Sequence, residues 1–143
     1  MTNKQLAERF ANSDKEGKAN SMFIENNTIF SYGYHFPIAR KMDKTDENGK
    51  TIVLFTNRGY SNTTAKHKNN VWGALYQAGY RIITCDVSRG IVTTELLEDL
   101  NKEIDELHGK EKRARKDWSR ESYYNQAEKL NEDVTTLRQA YSL

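Results

Sequence analysis

Two short stretches hold most of the side chains able to do chemistry. Ser31-Tyr32-Gly33-Tyr34-His35-Phe36-Pro37-Ile38-Ala39 and Asn57-Arg58-Gly59-Tyr60-Ser61-Asn62-Thr63-Thr64-Ala65-Lys66-His67 contain two of the three histidines, the only proline and three of the eight tyrosines. His35 and His67, beside a phosphate, are the minimum for metal-free phosphodiester cleavage, one ring as base and the other as acid. In the second stretch a helix opens at Ser61, Thr63 or Thr64, with Arg58 ahead of it and Lys66 in its first turn. Unpaired backbone N–H groups and the positive end of the helix dipole make such a start an anion site. The alternative is a capped helix whose hydroxyls satisfy its own backbone. It is not a Walker loop, because the glycine spacing and the Gly-Lys-Ser/Thr ending are missing.

His67 precedes Val71 by one turn and so lies on the face that meets a sheet. It reads either as a core histidine donating to a strand carbonyl or as an acid, base or ligand. No His-x-x-x-His, no cysteine pair and no carboxylate interleaved with the histidines is present, so neither a metal nor a cofactor is expected. Gly33 permits a backbone turn and Pro37 sets the start of the next strand. Tyr32, Tyr34, Phe36 and Tyr60 offer flat faces for stacking on bases, or else they cover the sheet as ordinary strand residues. The candidate binding set is therefore Tyr32, Tyr34, His35, Arg58, Tyr60, Ser61, Thr63, Thr64, Lys66 and His67. The two stretches are expected to fold into one shared site.

The elements that must position them are legible from periodicity. Leu6, Ala7, Phe10 and Ala11 give a first helix over Asn3 to Asn12, followed by a polar loop over 12–20. Met22-Phe23-Ile24 and Ile29-Phe30 flank Asn26-Asn27, a hairpin signal; Phe36 to Met42 alternates as a half-buried strand. Asn48-Gly49 marks another hairpin before the strand Ile52-Val53-Leu54-Phe55. Val71, Ala74, Leu75 and Ala78 form the apolar face of a second helix that Gly79 stops, and a fifth strand runs from Arg81 to Val87. Residues 1–90 thus predict an α+β body, a small antiparallel sheet of about five strands packed with one or two helices.

Residues 91–143 predict a helical hairpin extension. Leu97, Leu100, Ile104 and Leu107 continue in phase through Glu111, Ala114 and Trp118, whereas Tyr123, Ala127, Leu130, Val134, Leu137 and Tyr141 keep a new phase. The phase break places the turn near 118–122 between antiparallel helices; a break at Gly109 or one long helix with a stutter are the alternatives. The cationic run Lys110, Lys112, Arg113, Arg115, Lys116 and Arg120 reads as a solvated helix face or as a contact for nucleic acid or an acidic protein.

The totals bound the class. At 143 residues the chain is long enough for a real core, although apolar content is 36% and charged content 29%. The lone Cys85 excludes an intramolecular disulfide and points to a buried thiol in a reducing compartment. No apolar run approaches the roughly 20 residues of a membrane span and the N-terminus lacks a signal peptide, so a cytoplasmic protein with no membrane partner is expected. Residues 1–90 carry 13 Lys or Arg against 8 Asp or Glu, a balance of +5, and residues 91–143 carry 9 against 12, a balance of −3. That asymmetry hints at an anionic partner for the first part.

Residues 31–39 and 60–67 resemble a small uncharacterised domain family of phage, plasmid and prokaryotic proteins. Its members look alike in a Ser-Tyr-Gly-x-His-Phe-Pro-Ile-Ala stretch followed by Tyr-Ser-x-Thr-Thr-x-x-His. The likeness extends weakly over residues 5–87 and brings no activity with it. What it implies is a mobile-element origin, where small proteins often inhibit host defence or modulate nucleic-acid machinery. The expected function is a non-enzymatic binding protein acting on a host protein or nucleoprotein in the host cytoplasm, with a homodimer through the C-terminal helices. The alternatives are a nucleic-acid or nucleotide binder holding a phosphate-bearing ligand, and a metal-independent phosphodiesterase or nuclease using His35 and His67.

Overall fold

A computed structural model describes residues 1–59, 61–89 and 91–143, with the side chain of Arg89 also outside the described set. The chain divides into two compact units, Met1–Ile91 and Val92–Leu143.

The first unit is α+β. Helix α1 (Asn3–Asn12) opens with a reciprocal capping box, in which Gln5 N–H donates to the Thr2 hydroxyl and Thr2 N–H donates to the Gln5 carboxamide. Strands β1 (Gly17–Lys18), β2 (Met22–Glu25), β3 (Thr28–Ser31), β4 (Pro37–Thr45) and β5 (Thr51–Thr56) follow. Helix α2 (Asn62–Ala78) and strand β6 (Arg81–Cys85) complete the sheet, and Val87–Arg89 forms a 3-10 turn. Asn26 and Asn27 both take positive φ (51° and 61°), the conformation a two-residue hairpin demands. Gly79 ends α2 in the left-handed region at φ 81°.

Among the described residues the sheet has six strands in sequence order. The sheet is mostly antiparallel, as expected, and three details differ. The loop over 12–20 contains β1, a two-residue edge strand paired with β2. The sheet is also not wholly antiparallel, because β5 and β6 pair parallel, Val53 beside Ile82 and Leu54 beside Ile83. A 17-residue helix separates these strands, and such a crossover returns the chain in the same direction. The last strand is shorter than expected, ending at Cys85, which is buried.

One continuous core joins both helices to the sheet. Leu6 and Phe10 of α1, Val71 and Leu75 of α2, and Ile29, Ile38, Val53 and Phe55 of the strands belong to it. At the far end of α1, the Lys41 ammonium of β4 donates to the carbonyls of Phe10 (2.8 Å) and Ser13 (2.7 Å), closing the helix C-terminus.

The second unit is a pair of packed helices, α3 (Thr94–Arg113) and α4 (Asp117–Tyr141). Leu97, Leu100 and Ile104 on α3 and Ala127, Val134 and Leu137 on α4 are buried, as their spacing predicts. The turn is at 114–116 rather than 118–122, and Gly109 is inside α3. Trp118 belongs to the first turn of α4, not to the α3 series. The physical cause is local: Ala114 and Lys116 take extended backbone, and the Arg120 side chain folds back to donate to the carbonyls of Ala114 (2.9 Å) and Arg115 (3.5 Å). Cations crowd the last turn of α3 and Asp117 opens α4, the charge order that helix dipoles favour. Among the described residues no helix is long and apolar enough to cross a membrane.

Candidate functional site

The loop after β3 and the start of α2 meet. A cavity of about 390 Å³ is lined by Ser31, Tyr32, His35 and Phe36 from the first stretch and by Ser61 and Thr64 from the second. The 32–36 loop is held by its own backbone: Tyr32 N–H donates to Ser21 (2.7 Å), Gly33 N–H to Ser31 (2.8 Å) and Phe36 N–H to Gly33 (3.1 Å). A methyl group on Gly33 would come 2.9 Å from His35 Nδ1, so glycine is what lets the imidazole fold back over its own loop. His35 is exposed at the cavity wall.

Tyr32 has φ 65°, a left-handed conformation that an aromatic residue rarely adopts. Its ring is 61% exposed and tilted over the His67 ring at 5.4 Å between centroids. The backbone there costs roughly 1 kcal/mol relative to glycine.

His67 lies beneath the cavity and is 2% exposed, on the same α2 face as Thr64, Val71 and Leu75. Its partners are not strand carbonyls. Nδ1 is 2.7 Å from the Ser31 hydroxyl, and Nε2 is 3.1 Å from the Ser21 hydroxyl and 3.3 Å from the Asn3 carboxamide nitrogen. These three contacts engage both ring nitrogens, with the donor at each set by the ring tautomer. Burial lowers the His67 pKa and keeps the ring neutral. Both nitrogens are engaged inside the fold, which leaves His35 as the imidazole facing the cavity.

The other expected site residues divide. Ser61 caps α2, accepting from Thr64 N–H at 3.2 Å, and the two hydroxyls are 3.2 Å apart. Thr63 and Lys66 are exposed and do not line the cavity, because α2 begins at Asn62 and turns both away. Arg58 stands over the Phe36 ring at 5.5 Å, and its carbonyl accepts from Lys68 Nζ at 2.7 Å. The expectation for Tyr60 lies outside the described residues.

Tyr34 is elsewhere. It packs edge-on against Phe23 (5.0 Å) and Phe30 (5.4 Å) and donates to Glu25 at 2.5 Å. That carboxylate, hydrogen-bonded to the phenol, raises the Tyr34 pKa above its ordinary value. Tyr34 lines a second cavity of about 460 Å³ with Phe23, Glu25, Lys18 and Tyr32, so the Tyr32 ring is the wall shared by both. Sequence reading missed Asn3 and Ser21, the partners that seal His67. No signal marks them, since each is an isolated polar residue brought close only by the packing of α1 and the chain before β2.

Among the described residues no group of three or more His, Cys, Asp or Glu side chains is placed to hold a metal ion. Comparison with known proteins gives no match to a family model, a curated protein or a solved structure.

Proposed function

We propose that this chain is a non-enzymatic binding protein whose recognition site is the cavity between residues 31–36 and 61–64. The observation that carries the reading is Tyr32. A turn that needed only its backbone path would be less strained with glycine, yet a bulky ring is held there, largely in solvent, on the rim of two cavities. Exposed aromatics in such positions are the anchors of binding surfaces. The placement of His67 weighs in the same direction, because the ring is 2% exposed and is not among the described residues that line the cavity with His35. The partner in this reading is a host protein or nucleoprotein in the cytoplasm, and an anti-defence role rests on the mobile-element resemblance of residues 31–39 and 60–67.

Tyr32→Gly separates the site from the fold. The variant keeps its thermal midpoint within a few degrees, since relief of backbone strain offsets the lost ring contact. Its affinity for the partner captured by the native chain falls at least tenfold, a loss typical of an aromatic anchor. Undiminished capture by a folded Tyr32→Gly chain overturns the reading. So does EDTA-resistant cleavage of single-stranded RNA, DNA or cyclic nucleotides that disappears in His35→Ala.

A further inference from the structure

We infer that the elbow of the second unit, where α3 turns into α4, binds the phosphate backbone of single-stranded nucleic acid. The inference does not rest on the reading of the 31–36 cavity. A cavity of about 300 Å³ at the elbow is lined by Lys110, Arg113, Arg115 and Lys116, together with Ser119 and Tyr123. No acid lines it. Residues 110–120 hold six cations and two acids, and both acids are directed elsewhere: Glu111 lies 3.0 Å from His108 Nδ1, and Asp117 pairs with Arg120 at 3.6 Å. Among the described residues none of the four lining cations makes an ion pair. Like charges gathered around one concavity repel one another and raise the local concentration of anions.

The same helices carry their acids at the other end. Glu95, Glu98, Asp99, Glu103, Asp105 and Glu106 lie in the first two-thirds of α3, and burial, followed by Glu106 and Asp99, raises the Glu103 pKa. The second unit, net −3 overall, is therefore polarised, with its positive charge concentrated at the turn. The run at 110–120 supplies these charges, and the turn gathers four of them around one cavity.

Aromatic rings favour nucleic acid over an acidic protein surface. Trp118 is 68% exposed beside the cavity, with the Lys116 ammonium 5.8 Å from its ring centre, and Lys110 stands 6.0 Å from the Tyr123 ring. Flat faces interleaved with cations suit bases and phosphates together, whereas carboxylates use only the cations. Gly109 contributes by absence: a methyl group there would lie 3.3 Å from the Arg113 guanidinium, which folds back along α3. Serine at 119 adds a donor, and α4 starts without a side-chain cap.

The test titrates the full chain with a fluorescent single-stranded oligonucleotide across a salt series, following anisotropy and Trp118 emission. Four phosphate contacts give a slope of log affinity on log salt near roughly −3, at about 0.7 per contact for single strands. Arg113→Gln with Lys116→Gln cuts affinity about tenfold or more at low salt and flattens the slope by about half. Trp118→Phe removes the emission change while helicity by circular dichroism stays unchanged. The inference fails if the oligonucleotide does not bind at low salt, or if the double variant leaves the slope unaltered. It also fails if polyglutamate of equal charge or anionic vesicles compete as well as the oligonucleotide does, which would assign the elbow to an acidic protein or a lipid surface.

Discussion

His67→Ala destabilises the first unit by about 3 kcal/mol, measured as a fall in the urea midpoint at pH 7.5. Two causes add. The substitution opens a void under the cavity, and it strips the Ser31 hydroxyl, itself 1% exposed, of its 2.7 Å partner while loosening Ser21 and Asn3. Asn3 sits at the start of α1, so the imidazole ties that helix to β3 and α2 at once. The same ring makes stability depend on pH. Burial lowers its folded pKa below the ordinary 6.5, so the unfolded chain binds a proton that the folded chain excludes. The ring's contribution is fully present above pH 6.5 and is lost as pH falls from there through the lowered folded value. His67→Gln, neutral throughout, shows a shallower loss of stability over that window than the native chain. Superimposable pH curves for the two would mean that the ring is not sealed.

Lys41→Ala lowers the stability of the same unit by about 2 kcal/mol, since each buried acceptor left unpaired costs about 1 kcal/mol or more. The Lys41 side chain is 8% exposed and spans from β4 to the last turn of α1. It donates to Phe10 and Ser13 carbonyls, stands 5.0 Å from the Phe10 ring, and reaches Asp14 at 3.5 Å. The exposed Asp14 contributes little, because a solvent-facing ion pair is screened. Asp14→Ala therefore leaves the thermal midpoint within a degree or two, whereas Lys41→Ala moves it by roughly 5–10 °C. Equal effects of the two substitutions would show that the ion pair, rather than the helix end, is what Lys41 serves.

Turn and cap signals in this chain act locally. Asn26, Asn27 and Gly49 take positive φ, Ser61 caps and Gly79 terminates, and each acts within a few residues of itself. The spacing from Ile52 to Val87 contains a strand, a helix and a strand, the usual source of a parallel pair, whereas the hairpin signals upstream mark antiparallel pairs only. The two-residue β1 has too few side chains for any period to register. In the helical unit, the run of apolar positions through Trp118 outweighed a charge pattern that marked the turn. Lys112, Arg113, Arg115 and Lys116 followed by Asp117 is the end of one dipole and the start of another.

Sites divide along the same line. Residue types alone marked 31–39 and 57–67 as unusual, because rings, hydroxyls and imidazoles are concentrated there. Which of them share a space follows from strand alternation and helix phase summed over the whole fold. Ser31 and Tyr34 belong to one stretch, yet the first reaches His67 and the second rests on Phe23. Asn3 and Lys41 carried no local mark, since their importance lies in what α1 brings next to them. Chain order can announce turns, caps and apolar faces, whose energetics are nearest-neighbour; a histidine's burial and a cavity's walls arise from contacts between residues dozens of positions apart, and those exist only once the sheet and its helices have closed.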